Sequence, residues 1–282
     1  MRLLVTGAAG MLGQRVVQDA RRLGHDVVAL SHGELDLTDA PNVARLVAAA
    51  EPAAIVNCAA WTDVDGAEAH EARALRVNGD GAGNLARAAT TIGARLIHVS
   101  TDYVFDGDRR EPWLESDPVA PLQAYGRTKL AGERAIEEVG GNHAIVRAAW
   151  LFGVGGPNFV DTMLRVARER DEVSVVTDQR GRPTWTGHLA PALIELAERR
   201  DDVGTFHATG SGDCSWYEFA VEIFDQAGVR CRVVPTTSDG FPRPARRPAY
   251  SVLGSEREPG IVLPPWPEGL AGHLEARAEV AA

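Results

Sequence analysis

The chain has 282 residues, 45% hydrophobic and 24% charged, with a formal net charge of −10 and three cysteines. Such a composition excludes a disordered chain, and the acidic excess argues against nucleic acid as the main partner, because a phosphate backbone calls for basic patches. No apolar run approaches a membrane span of about 20 residues.

Leu3-Leu4-Val5 is the first predicted strand. The start of the chain runs straight into this strand and its loop, so no cleavable signal peptide is expected and the cytoplasm is the default location. The loop reads Gly7-Ala8-Ala9-Gly10-Met11-Leu12-Gly13, a G-x-x-G-x-x-G spacing. One glycine permits the tight turn, one lets a pyrophosphate approach the backbone, and one lets the following helix pack close to the strand. The helix start then offers N–H donors to phosphate. Gly7, Gly10, Met11, Leu12 and Gly13 are therefore candidate dinucleotide contacts.

Residues 10–23 form the predicted helix, and residues 27–30 the second strand. A helix over residues 43–50 ends at Glu51-Pro52, and residues 54–56 form a third strand. Residues 68–92 read as mostly helical, weakened by Gly79, Gly81 and Gly83. Residues 96–99 form the fourth strand. This alternation predicts an α/β fold, a Rossmann-type doubly wound parallel sheet, with residues 1–150 as the NAD(P)-binding domain. Beyond Arg147 proline and glycine become denser, with helical stretches at 159–169, 189–199 and 216–227. Residues 151–282 are expected to be mainly a smaller substrate-binding lobe, with segments returning to the first sheet. Pro242, Pro244 and Pro248 make residues 239–249 irregular.

The fourth strand runs into Thr101-Asp102-Tyr103-Val104-Phe105-Asp106-Gly107, which places hydroxyls and carboxylates where open α/β sheets bind ligands. Ser100 is the weaker candidate, because adjacent strand residues face opposite ways. Tyr125 and Lys129 stand four apart, so on a helix they share a face. A neighbouring ammonium would bring a phenol down from about 10 toward the working range. His98, inside the fourth strand, reads as a satisfied core histidine. Cys58, Cys214 and Cys231 form no Cys-x-x-Cys pair and read as free thiols. The eight histidines show no metal-binding spacing, so no metal is expected.

Residues 7–13, Asn57-Cys58-Ala59-Ala60-Trp61-Thr62, residues 100–107, residues 125–129 with Leu130-Ala131-Gly132-Glu133, Ala149-Trp150, Pro183-Thr184 and Arg243-Pro244-Ala245-Arg246-Arg247-Pro248 together resemble one family. It is the extended short-chain dehydrogenase/reductase superfamily, and within it the dTDP-4-dehydrorhamnose reductase family. The resemblance implies Thr101, Tyr125 and Lys129 as the catalytic trio. Thr101 would bond the C4 carbonyl of the sugar, Tyr125 would protonate it, and Lys129 would lower the phenol pKa and hold the nicotinamide ribose. It also implies that Thr101, Asp102 and Trp150 contact a dTDP-linked keto-sugar. Composition alone leaves Trp150 equally readable as core filler. Related 4,6-dehydratases carry an Asp-Glu pair where this chain has Asp102-Tyr103, which favours reduction over dehydration.

The family often has aspartate at Ser31. A serine there, with His32 beside it, leads us to expect NADPH, with NADH tolerated. Asp36 and Leu37 match an adenine-contacting pair, though Asp36 also reads as a turn acid. Ala59, Ala60 and Trp61 match the ribose passage. Arg246 and Arg247 read either as partners of the substrate pyrophosphate or as a solvated pair, and Arg180 and Arg182 carry the same two readings. Some relatives dimerise through glutamate-held magnesium, one glutamate following the third loop glycine. Gln14-Arg15 stands there, so a monomer or a homodimer of another kind is expected. Two other functions resemble this pattern: a dihydrostreptose synthase-type reductase of antibiotic sugar assembly, and a non-enzymatic regulatory subunit. The complete trio argues against the second.

Overall fold

The computed structural model describes residues 1–281. β1 (Arg2–Thr6) is buried along Leu3-Leu4-Val5-Thr6, as a central parallel strand must be. In α1 (Met11–Arg22) the stripe Leu12, Val16, Val17 and Ala20 is buried, whereas Leu23 falls just past the helix and is exposed. β2 (Asp26–Leu30) pairs parallel with β1. α2 (Ala40–Ala50) begins before the apolar periodicity at Val43, because Asp39 caps it by accepting the Asn42 N–H and Pro41 suits a first turn. β3 (Ala54–Asn57) follows.

The helix predicted over residues 68–92 is divided. α3 (Val64–Ala69) breaks at His70, α4 (Glu71–Leu75) runs into a π-helical turn (Arg76–Asp80), and α5 (Gly81–Thr91) completes the stretch. β4 (Arg95–Thr101), a 3-10 turn (Asp102–Val104), α6 (Ala124–Val139) and β5 (His143–Ala148) come next. The glycines serve close approach rather than flexibility: a Cβ on Gly83 would stand 3.2 Å from Ala135 Cβ of α6.

The second half contributes β6 (Leu151–Phe152), α7 (Phe159–Val166), β7 (Glu172–Val176), β8 (Arg180–Gly181), β9 (Thr184–Trp185), α8 (Thr186–Glu198), β10 (Gly204–His207), β11 (Cys214–Ser215), α9 (Trp216–Gln226), β12 (Arg232–Thr236) and α10 (Trp266–Ala281). The main sheet has six parallel strands in the order β10-β5-β4-β3-β1-β2. Alternate side chains feed two cores. Leu3, Val5, Val56 and Ile97 pack with α1 and α8, while Leu4, Ile55, Leu96 and Ile145 pack with α2, α5 and α6. Thus α8 and β10 return to the first sheet. A third core, with Phe152, Val160, Phe219, Ile223 and Leu270, joins α7, α9 and α10. Residues 239–249 hold only the end of a short 3-10 turn (Ser238–Gly240). Among the described residues no helix is long and apolar enough to cross a membrane.

Candidate active site

The strand order reverses at β1, with β2 on one side and β3 on the other, so the loops leaving β1 and β3 diverge around a crevice. They touch at its floor. Gly7 has φ +67°, and a Cβ there would lie 2.6 Å from the Ala59 nitrogen; one on Gly13 would lie 2.1 Å from the Gly7 oxygen. Only glycine permits either approach. Gly10 caps α1 without a side-chain bond, so the first-turn N–H groups remain free to donate to an anion. This cradle fits a pyrophosphate. Gln14 closes one edge, its amide donating to Ala9 O at 2.6 Å. Among the described residues no cluster of His, Cys, Asp or Glu suits a metal.

At the end of β2, Ser31 does not stand alone. Its N–H and hydroxyl both donate to the Glu34 carboxylate, at 2.8 and 2.6 Å, and these bonds lower the Glu34 pKa. An acidic group therefore sits where the serine alone suggested none; His32 beside it is exposed. Asp36 accepts the Thr38 N–H and hydroxyl, a turn role, and Leu37 is buried in the core. Ala59, Ala60 and Trp61 line the crevice beyond β3 and are half-buried.

Thr101 is the last residue of β4, and its Oγ1 accepts the Tyr103 N–H, starting the 3-10 turn. That hydroxyl donates to Asp102 Oδ1 at 3.0 Å. Tyr125 enters from the first turn of α6, which Gln123 caps through the Gly126 N–H. A Cβ on Gly126 would lie 2.1 Å from Tyr103 O, so glycine lets the helix press against the turn. The Tyr125 ring meets Tyr103 edge-on at 6.1 Å, and its hydroxyl lies near that of Thr101. Thr101, Asp102 and Tyr125 thus share one corner. Burial pushes the Asp102 carboxyl up to about 7, against the hydroxyls of Ser251 and Thr101.

The expected pull of Lys129 on Tyr125 is not found in this arrangement. The phenol lies above its ordinary value, through burial and then the charge of Asp102. The amine faces inward instead, toward His98 Nε2 at 3.1 Å and the Val99 carbonyl at 2.8 Å. Burial brings Lys129 down to about 8. Behind it, Glu133 forms a buried two-point ion pair with Arg147 at 3.0 and 2.7 Å and accepts the Ser100 hydroxyl. Ser100 therefore faces away from the corner.

Residues 243–248 lie across the other side. A Cβ on Gly107 (φ +76°) would stand 2.4 Å from Pro248 Cβ, so the segment after β4 and the proline-rich segment meet closely. Arg247 pairs with Asp65 at 3.1 Å and lies 6.0 Å from the Tyr103 ring. Arg243 shares Asp65, while Arg246 is exposed. Arg180 is occupied by Asp213 and Glu218, whereas buried Arg182 Nε has no partner among the described residues. Trp150 has φ +46°, rare for a bulky residue. It stacks on Trp216 with ring centres 3.5 Å apart, and a Cβ on Gly181 would strike it at 2.4 Å.

Three residues at the site had no role legible in the sequence. Asn78, in the π-turn, accepts the Trp61 N–H and donates to the Trp61 carbonyl and Thr128, tying the β3 loop to α6. Ser251 approaches Asp102 from across the chain. Asn57 bonds His98 at 2.8 Å. The π-turn left a trace as glycines inside a helical stretch, and Asn57 lies in a stretch that carries the family resemblance.

The model of the RmlD substrate binding domain matches residues 1–278. A dTDP-4-dehydrorhamnose reductase of Streptomyces griseus is 47% identical over 94% of this chain and 89% of its own length. The crystal structure of a dTDP-4-dehydrorhamnose reductase from Clostridium acetobutylicum superposes with a TM-score of 0.95 at 41% identity, covering 99% of this chain and 100% of that one. The Bacillus anthracis dTDP-4-dehydrorhamnose reductase in complex with NADP gives a TM-score of 0.95 at 38% identity, covering 98% and 99%.

Proposed function

The chain belongs to the RmlD substrate binding domain family, and from that premise we propose that it reduces the C4 ketone of a dTDP-linked 4-keto-6-deoxyhexose, converting dTDP-4-dehydrorhamnose to dTDP-L-rhamnose with NADPH. The observation that carries this reading is the corner itself: the Thr101 hydroxyl, the Asp102 carboxyl and the Tyr125 phenol gather at the end of β4, beside a glycine cradle that fits a dinucleotide pyrophosphate.

Reduced nicotinamide, when bound, supplies the hydride. The protein's own residues do the rest. Gly7, Gly10 and Gly13 shape the cradle, and the free N–H groups of Met11, Leu12 and Gly13 hold the pyrophosphate. The Thr101 and Tyr125 hydroxyls orient the ketone oxygen. Tyr125 O–H then gives it a proton as charge develops there, and Lys129 serves the same acid–base site. Buried Trp113, Phe105 and Val104 back this corner and keep water from it. Tyr103 follows Asp102, so the site lacks the second carboxylate that dehydration would use.

Residues 1–150 would hold the dinucleotide and residues 151–282 mainly the sugar nucleotide, with Trp150 under the sugar. Arg247 would exchange Asp65 for a substrate phosphate. The protein would act in the cytoplasm as a monomer or homodimer. The test is NADPH consumption with dTDP-4-keto-6-deoxyglucose, with and without a 3,5-epimerase, and NMR of the product. Epimerase-dependent formation of dTDP-L-rhamnose supports the reading. No turnover, or a ring-contracted product, refutes it.

A further inference from the structure

The buried side chains of Thr6, Asn57, His98 and Lys129 form a chain whose hydrogen positions follow by elimination. Asn57 Oδ1 faces the Ala59 backbone nitrogen at 3.1 Å and the Thr6 hydroxyl at 2.7 Å. A backbone N–H only donates, so this side of the amide is the oxygen. The other side, 2.8 Å from His98 Nδ1, is therefore the NH2 group. An amide nitrogen only donates, so Nδ1 must carry the lone pair. His98 is 1% exposed, and burial, the largest cause, holds it neutral whatever the state of Lys129. A neutral imidazole with a bare Nδ1 has its hydrogen on Nε2.

That hydrogen faces Lys129 Nζ at 3.1 Å, and Nζ also donates to the Val99 carbonyl at 2.8 Å. An ammonium has donors alone and would set N–H against N–H. A neutral amine has the lone pair that Nε2–H requires. We infer that Asn57 and His98 are positioning residues that fix the imidazole tautomer so as to stabilise the neutral amine of Lys129, making this lysine a proton donor suited to neutral pH rather than a permanent cation. The inference rests on Lys129 and Tyr125 being the acid–base pair.

The titratable groups facing Nζ come from three directions. They are His98 on β4, Cys58 after β3 and Glu133 one turn along α6. Glu133 favours the ammonium, yet it is already matched by Arg147. Cys58 is pushed up to about 12 by burial and stays a neutral thiol. His98 is thus the neighbour whose hydrogen bond favours the amine. The consequence for turnover is direct. An ammonium that turns from this pocket to Tyr125 and gives up its proton there leaves the amine that Nε2–H bonds on its return, and solvent then restores the ammonium.

Two measurements test this on the full chain. Long-range proton–nitrogen NMR of 15N-histidine-labelled protein, without added dinucleotide at neutral pH, reads the tautomer. His98 should show a protonated Nε2 and a bare Nδ1; an Nδ1–H tautomer or an imidazolium overturns the inference. The second is His98→Gln, whose amide oxygen can accept from an ammonium. The 13Cε titration of Lys129 and the alkaline limb of kcat/KM should both move up by about one pH unit, tenfold in proton affinity. A lower Tm with both midpoints unmoved would make His98 merely structural and overturn it. The tautomer is readable whatever the substrate, so failure of the reductase reading and failure of this one are distinguishable.

Discussion

Asp102→Asn isolates the cost of burying a carboxylate at the carbonyl corner. Asp102 is 2% exposed, Oδ1 accepts the Thr101 hydroxyl at 3.0 Å, and burial holds the carboxyl at about 7. An unfolded aspartate titrates at about 3.9, so folding raises the value by about three units, each worth ~1.4 kcal/mol. Between about pH 4 and 7 the native state therefore binds the extra proton, and stability falls as pH rises through that window. Above pH 7 the full cost of the buried anion, roughly 4 kcal/mol, is present. Asparagine keeps an acceptor toward Thr101 and cannot ionise. Urea unfolding of both proteins at pH 5 and pH 8 measures the effect. The variant should gain roughly 2–3 kcal/mol relative to wild type between the two pH values. Buried His98, His207 and His273, all with lowered pKa values, act oppositely, losing stability as pH falls below their unfolded value. They are common to both proteins and cancel in the difference. A difference that does not change with pH would refute the reasoning.

Tyr125→Phe should lower kcat by about 10²–10⁴ with dinucleotide affinity nearly unchanged, because only the proton donor is lost; stopped-flow reduction and a fluorescence titration separate the two. Glu34→Gln should raise the preference for NADPH over NADH by up to about fivefold, since it removes a charge held on Ser31 at the adenine end; an unchanged ratio of kcat/KM values places Glu34 away from the nucleotide. Gly126→Ala should cost about 1–3 kcal/mol, because its methyl would meet Tyr103 O at 2.1 Å. It should also depress kcat more than that loss explains by shifting Tyr125, which thermal unfolding and steady-state kinetics would show.

The sheet was legible because burial on both faces leaves short apolar runs, and the glycine loop because its backbone contacts admit no side chain. Tyr125 and Lys129 were legible as a spacing and Thr101 as a hydroxyl ending a strand, while the family resemblance joined them into a trio; the structure brings Thr101 and Tyr125 together. The direction of Lys129 was not, because it depends on His98, 31 residues away in sequence and satisfied by Asn57 on another strand. Glu34 was missed for a similar reason: the charge at the end of β2 arrives from a turn rather than from the strand. The division of residues 68–92 turned on a π-turn, whose extra residue aims Asn78 at Trp61 and Thr128. The cap that Asp39 gives α2 was readable in principle, but apolar periodicity alone placed the start at Val43.

The most direct test of hydride transfer to the ketone is to supply NADPH carrying deuterium on the transferred C4 position, with dTDP-4-dehydrorhamnose as substrate. The expected product is dTDP-L-rhamnose with a single deuterium at sugar C4, seen as a one-unit mass increase and the loss of the C4 proton signal. Product without that label, or cofactor oxidised with the ketone intact, would contradict it.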